Sequence, residues 1–263
     1  YMKKHEYNGV SFEVPTLTKG FYFEVNKSTF PWESGISTYV SRWDVEKFNK
    51  PSSPRMIDTA RNDAIIQHRI LDCPIRFPGS NVRLPTELLP IMPEIVTVLD
   101  YEAAHNKYFD EYYAYITTDY SFVKAGGTQR KAGCHVDGYQ GARTTKNERI
   151  NRSYVYSSGD TTEFFLQRFP ISHINDSRYN VFHYFDKIAD EAFIWRPKEW
   201  EIVLMNVYNV HRAPIAKEDG YRFFFRLSFD TRKFDRLGNT HNPMFNYEWD
   251  MVARNTQKDL LDY

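Results

Sequence analysis

Only two cysteines, Cys73 and Cys134, occur in 263 residues, which excludes a disulfide framework. A reducing, cytoplasmic setting is the expectation. No apolar run approaches the roughly 18 residues of a membrane span. The opening Tyr1-Met2-Lys3-Lys4-His5 lacks the apolar stretch of a secretory signal. Charge of one sign is also missing: 34 Lys and Arg balance 34 Asp and Glu. No global field therefore draws the chain to a membrane or to nucleic acid, and a small-molecule partner is favoured. Internal repeats and low-complexity linkers are absent too. One domain spanning residues 1–263 is expected, with a sizeable core.

What the chain has in abundance is aromatic: 19 Tyr and 20 Phe, 17% aromatic with Trp included. Such content fills a β-sandwich core and lines a pocket, or supplies stacking platforms for bases. Several runs read as strands. Residues 111–123 are rich in aromatic and β-branched types and end at Gly126-Gly127. Residues 152–158, 201–207 and 221–229 follow the same pattern. Two helices are expected. One opens at Ser53-Pro54 and carries Ile57, Ala60, Ala64 and Ile65 on one face through about Leu71. The other runs from Pro93 to about Asn106, with Ile95, Val98, Leu99 and Glu102 at helical spacing.

Chemistry enters at His135-Val136-Asp137, with His211 lying 76 residues later. His135 and Asp137 are two apart, so an extended chain projects both to one side. Gly138 then permits a sharp turn. Two imidazoles and one carboxylate can occupy one face of an iron ion and leave the other open. A His-x-acid tripeptide is a short motif that also arises by chance, and a buried His beside a turn Asp is the plain alternative.

The surroundings add to it. Gly159 to Phe165 is a turn leading into a strand, and Trp195 to Trp200 is a turn ahead of the run 201–207. In the run 221–229, Arg222, Phe224, Arg226 and Ser228 share one face. Arginines facing a core need a partner, because an unpaired buried charge is costly. No run of inward carboxylates is evident as that partner. A ligand carboxylate would serve through a bidentate pair; a solvated outward face is the alternative.

Taken together, these residues resemble the Fe(II)/2-oxoglutarate-dependent oxygenases, on the side of the prolyl-hydroxylase-like members. The resemblance covers roughly 111–230. Within it, Asp160 stands where the family's first turn has a second Gly, Trp200 replaces a turn Gly, and Arg222 lies 11 positions after His211, slightly more than the family's spacing. It implies a mainly β fold with flanking helices around a double-stranded β-helix, a jelly-roll of cupin-like type. Residues 1–110 would supply supporting strands and helices, 111–230 the catalytic core, and 231–263 a tail that lids the site or closes the edge of the barrel.

It also implies Fe(II) on His135, Asp137 and His211, with 2-oxoglutarate and O2 as cosubstrates. The distal carboxylate of the oxo-acid would reach Arg222, with Arg226 and Ser228 further along that face. Tyr154 or Tyr156 would assist by hydrogen bonding; as strand aromatics they suit a core equally well. The implied reaction hydroxylates an unactivated C–H bond and releases succinate and CO2. The carboxylate of Asp137 argues against halogenation, which needs that coordination position. Gln140 and Arg143 open the segment 140–152, whose basic residues suit an anionic small molecule or simply a solvated loop. The same chemistry on a protein or nucleic-acid target, a zinc hydrolase on the same ligands, and a non-enzymatic cupin-like binding module are the competing functions.

Overall fold

The aromatic and β-branched runs at 113–123, 152–157, 201–206 and 220–230 are strands. The computed structural model describes residues 2–7, 10–15, 20–25, 44–61, 63–138, 151–176, 178–253 and 261–262. Gln140 and Arg143 lie outside these, as do the other basic residues of that segment except Arg152. In chain order the strands are β1 (Met2–Tyr7), β2 (Val10–Pro15), β3 (Phe21–Phe23), β4 (Arg55–Thr59), β5 (Ile70–Arg76), β6 (Val82–Leu84), β7 (Tyr113–Val123), β8 (Arg152–Ser157), β9 (Glu163–Phe165), β10 (Tyr179–Asn180), β11 (Ile194–Trp195), β12 (Glu201–Asn206), β13 (His211–Arg212), β14 (Gly220–Asp230) and β15 (Leu261–Asp262). The helices are α1 (Met92–His105) and α2 (Val181–Ile188). The protein is thus predominantly β. No helix among the described residues is long and apolar enough to cross a membrane.

The chain divides into two compact units. One comprises 1–39, 60–120 and 225–254, the other 40–59, 121–224 and 255–263. The division cuts β7 and β14, so the expected core of 111–230 contributes to both units.

In the first unit β5, β7 and the second half of β14 lie side by side. Helix α1 buries Ile95, Val98, Leu99, Glu102 and Ala103, the i, i+3, i+4, i+7, i+8 stripe of an amphipathic helix. Full burial of each large apolar side chain contributes about 1.5–3 kcal/mol. The tail packs within this same unit. Phe234 stacks on Tyr115 with centroids 4.0 Å apart, and Phe245 on Phe77 at 4.3 Å. Trp249 sits edge-on to Tyr113.

The helix expected from Pro54 to Leu71 does not form. Arg55–Thr59 is strand β4 instead, antiparallel to β12 with Glu201 opposite Thr59. Its residues are exposed or half-buried, so no apolar stripe exists to bury. Pairing with a sheet edge satisfies the backbone groups that a marginal helix would have paired within itself.

In the second unit the order is β4, β12, β8 and the first half of β14. A smaller sheet has the order β11, β9, β13. β8 is buried along its whole length, as a central strand with both faces covered must be. Its odd-numbered Val155 joins Val203, Met205, Phe224 and Phe164 of β9 in one apolar cluster. Strand alternation sends Tyr154 and Tyr156 to the other face, where Tyr156 packs on Trp200 and Phe223, centroids 6.2 and 6.0 Å away. Trp200 has φ +64, the left-handed conformation a glycine would adopt without strain. Its ring contacts with Tyr156 and Phe223 offset that cost.

Candidate metal centre

Two short stretches of antiparallel pairing assemble the site within the second unit. His135 and His211 form an isolated bridge. Each donates its backbone N–H to the other's carbonyl at 2.9 Å. Residues directly opposite in an antiparallel pair carry their side chains on one face, so the imidazoles lie side by side with ring centroids 4.5 Å apart. The row continues across the small sheet: His211 faces Phe164, and Phe164 faces Trp195. The Phe164 ring lies 5.7 Å from His211, and that face is the one that meets Val155, Val203, Met205 and Phe224. The opposite face of the small sheet buries Phe165 and Val210 among residues of α2.

β13 is only two residues long, and its flanks are pinned by charge. Arg212 donates from Nε to Glu163 at 2.5 Å and from Nη2 to Glu191 at 2.8 Å. Arg196 reaches the other oxygen of Glu163. Glu163 is buried, so these bonds are of the strong, charge-assisted kind.

Gly138 follows Asp137 with φ +83, and an added Cβ there would come within 2.8 Å of Asn151 Cβ. Both the turn and the close approach require glycine. His135, Asp137 and His211 each present one ligand atom, all within 4.8 Å of one another. The His211 Nε2 to Asp137 Oδ1 distance is 3.9 Å. Two donors about 2.0–2.2 Å from one ion are at most about 4.4 Å apart, so the pair already suits a shared cation.

The imidazole tautomers favour it too. His135 Nδ1 lies 2.9 Å from the Gly133 carbonyl, and His211 Nδ1 2.9 Å from the Asn209 carbonyl. A carbonyl only accepts, so both Nδ1 atoms carry the proton and both Nε2 lone pairs face the ligand cluster. The donor set therefore fits a divalent metal. Gly133 and Asn209 supply acceptors that no sequence pattern named.

Burial, then His211 and Lys131, lower the pKa of His135 from 6.5 to about 4, against opposing contributions from Asp137 and the Gly133 carbonyl. Between those values the unfolded chain binds a proton that the folded, metal-free chain does not. Stability accordingly falls as pH drops from 6.5 towards 4, by at most about 3 kcal/mol from this group. Urea unfolding of the chelator-treated protein at pH 7.5 and 4.5 should show that loss, and His135→Gln should flatten it. An equal slope in the variant would refute the assignment. Burial and the neighbouring Asp186 push the Cys134 thiol up to about 12, so Cys134 behaves as a small buried residue.

Arg222 is buried and shares its face of β14 with Phe224, which packs in one cluster with Phe164 of the row carrying His211. Its Nε donates to the Asp160 carbonyl and its Nη1 to Gln129 Oε1, both at 2.5 Å. Its guanidinium and that of Arg130 lie 5.6 and 5.1 Å from the Phe224 ring. Gln129 and Arg130 carried no sequence signal beyond polarity.

The other assigned residues are placed as follows. Tyr154 and Tyr156 lie on the opposite sheet face from Phe224 and belong to a core. Arg226 and Ser228 fall in the first unit, where Arg226 Nη2 meets Asp72 Oδ1 at 2.8 Å. Asp72 is the inward carboxylate that the sequence pattern did not reveal, and the charge of Arg226 needs no ligand to balance it.

No family model matches the chain, and no curated protein matches it. Among solved structures it is similar to the crystal structure of EvdO2 from Micromonospora carbonacea var. aurantiaca, at 14% identity and a TM-score of 0.37. The similarity covers 54% of this chain and 61% of that one, so the chain spans about six-tenths of the length of that neighbour.

Proposed function

We propose that the protein is an Fe(II)- and 2-oxoglutarate-dependent dioxygenase built on a double-stranded β-helix. Its reaction hydroxylates an unactivated C–H bond of a small molecule and releases succinate and CO2. The observation that carries this reading is the presence of two Nε2-presenting imidazoles and a carboxylate on one inner face, with buried Arg222 on the sheet that faces it.

His135, Asp137 and His211 would hold iron by one face. Iron with 2-oxoglutarate and O2 supplies the oxidising chemistry when bound. The remaining work belongs to the chain. Arg222, held by Asp160 and Gln129, offers a planar fork to a distal carboxylate. Phe164, Phe224 and Trp195 keep water from the inner face. The carbonyls of Gly133 and Asn209 hold the imidazoles in the ligating tautomer.

Anaerobic titration with Fe(II) and then 2-oxoglutarate tests the reading. A weak visible metal-to-ligand charge-transfer band is expected. Arg222→Leu should weaken 2-oxoglutarate about 100-fold while leaving Fe(II) affinity within about threefold, the behaviour of a lost charge-assisted bidentate pair. No band in the parent protein, with zinc bound tightly in its place, would favour a hydrolytic site.

A further inference from the structure

The two ligating histidines are oriented by carbonyls, but only His135 sits outside a named strand. Something must fix the backbone from which the Gly133 carbonyl projects. Helix α2 provides it. Its start is capped by the Asn180 side chain, which accepts from Phe182 N–H at 3.1 Å. In that first turn Phe182 sets its ring edge-on to His135, centroids 6.1 Å apart. At the following turn Asp186 Oδ1 accepts the Cys134 N–H at 2.6 Å.

Cys134 N–H belongs to the same peptide plane as the Gly133 carbonyl. Anchoring the N–H therefore also aims the carbonyl, which must point the opposite way across a planar trans peptide. That carbonyl is the acceptor of His135 Nδ1–H. Gly133 is suited to the arrangement twice over: its φ is +87, and an added Cβ would sit 2.8 Å from Asp186 Oδ2.

We infer that Asp186 is a positioning residue for the metal centre: through the Gly133–Cys134 peptide it fixes the tautomer and direction of His135. The inference rests on the metal-binding reading above. Asp186 itself is exposed and acts through the peptide, not on the metal.

The test is Co(II) titration of the full chain, wild type and variants, followed by proton NMR of the Co(II) forms. Asp186→Ala should weaken Co(II) roughly 10- to 100-fold, the range for loss of a group that orients a ligand. Asp186→Asn keeps an acceptor oxygen and should stay within about threefold of wild type. In the wild type the His135 Nδ1–H should give a paramagnetically shifted signal that exchanges slowly with water. In Asp186→Ala that signal should broaden or vanish, while the His211 signal persists. Gly133→Ala, which displaces the carboxylate without removing it, should reproduce the loss.

A wild type that binds no Co(II) would overturn the metal-binding reading. A wild type that binds Co(II), with Asp186→Ala within threefold of it and both shifted signals intact, would overturn this inference alone. So would an Asp186→Asn variant as weak as Asp186→Ala, since charge and not the hydrogen bond would then be responsible.

Discussion

His211→Ala should reduce Fe(II) affinity by more than about 100-fold and abolish the charge-transfer band with 2-oxoglutarate. The magnitude follows from comparison with groups that only orient ligands, whose loss costs about 10- to 100-fold; a ligand removed outright costs more. The variant should still fold. The bridge to His135 is made by backbone atoms, and β13 keeps its pairing with β9 and the Arg212 to Glu163 ion pair. What is lost from packing is the ring contacts with Phe164 and His135. Far-ultraviolet dichroism and a melting curve should therefore resemble those of the chelator-treated parent. Metal affinity comparable to the parent in a folded His211→Ala protein would remove the centre from consideration.

Asp72→Ala should be the most destabilising of the simple substitutions, at about 3–5 kcal/mol. Typical domain stability is only about 5–15 kcal/mol. Asp72 is buried and accepts from Arg226 at 2.8 Å and from Thr117 Oγ1 at 3.0 Å. Its own N–H donates back to Thr117 Oγ1. Alanine would remove the carboxylate that meets Arg226 and leave a non-glycine residue at φ +45 without the local hydrogen bonding that lets Asp tolerate it. Replacing both partners, as Asp72→Asn with Arg226→Met, should cost much less. Asparagine accepts the left-handed backbone, and no charge is left unpaired. Urea unfolding measures the contrast. A loss below about 1 kcal/mol for Asp72→Ala would mean that water, not the carboxylate, satisfies Arg226.

The same pair shows why some assignments could be made in advance and others could not. Period-2 patterning put Arg222 and Phe224 on one face, and the structure keeps them so. It could not reveal that Arg226 meets a carboxylate 154 residues earlier. For Tyr154 and Tyr156 the pattern showed a shared face, correctly. Which face of the sheet that was depended on how β8 lines up beside β12, with Val155 opposite Val203. A shift of one residue would have sent both tyrosines inward. Helix α1 was legible because its apolar stripe is long and continuous. The segment 54–71 carried too weak a stripe, and a vacant sheet edge prevailed over it.

Local chain chemistry settled the identities of the three candidate ligands, the turn at Gly138, and the strand character of the segments around them, because each depends on neighbours a few residues away. Convergence of His135 with His211, the carbonyls that set their tautomers, and the bond from the Cys134 N–H to Asp186 depend on contacts between distant segments. Hydrogen-bond register, which no periodicity encodes, chose those partners.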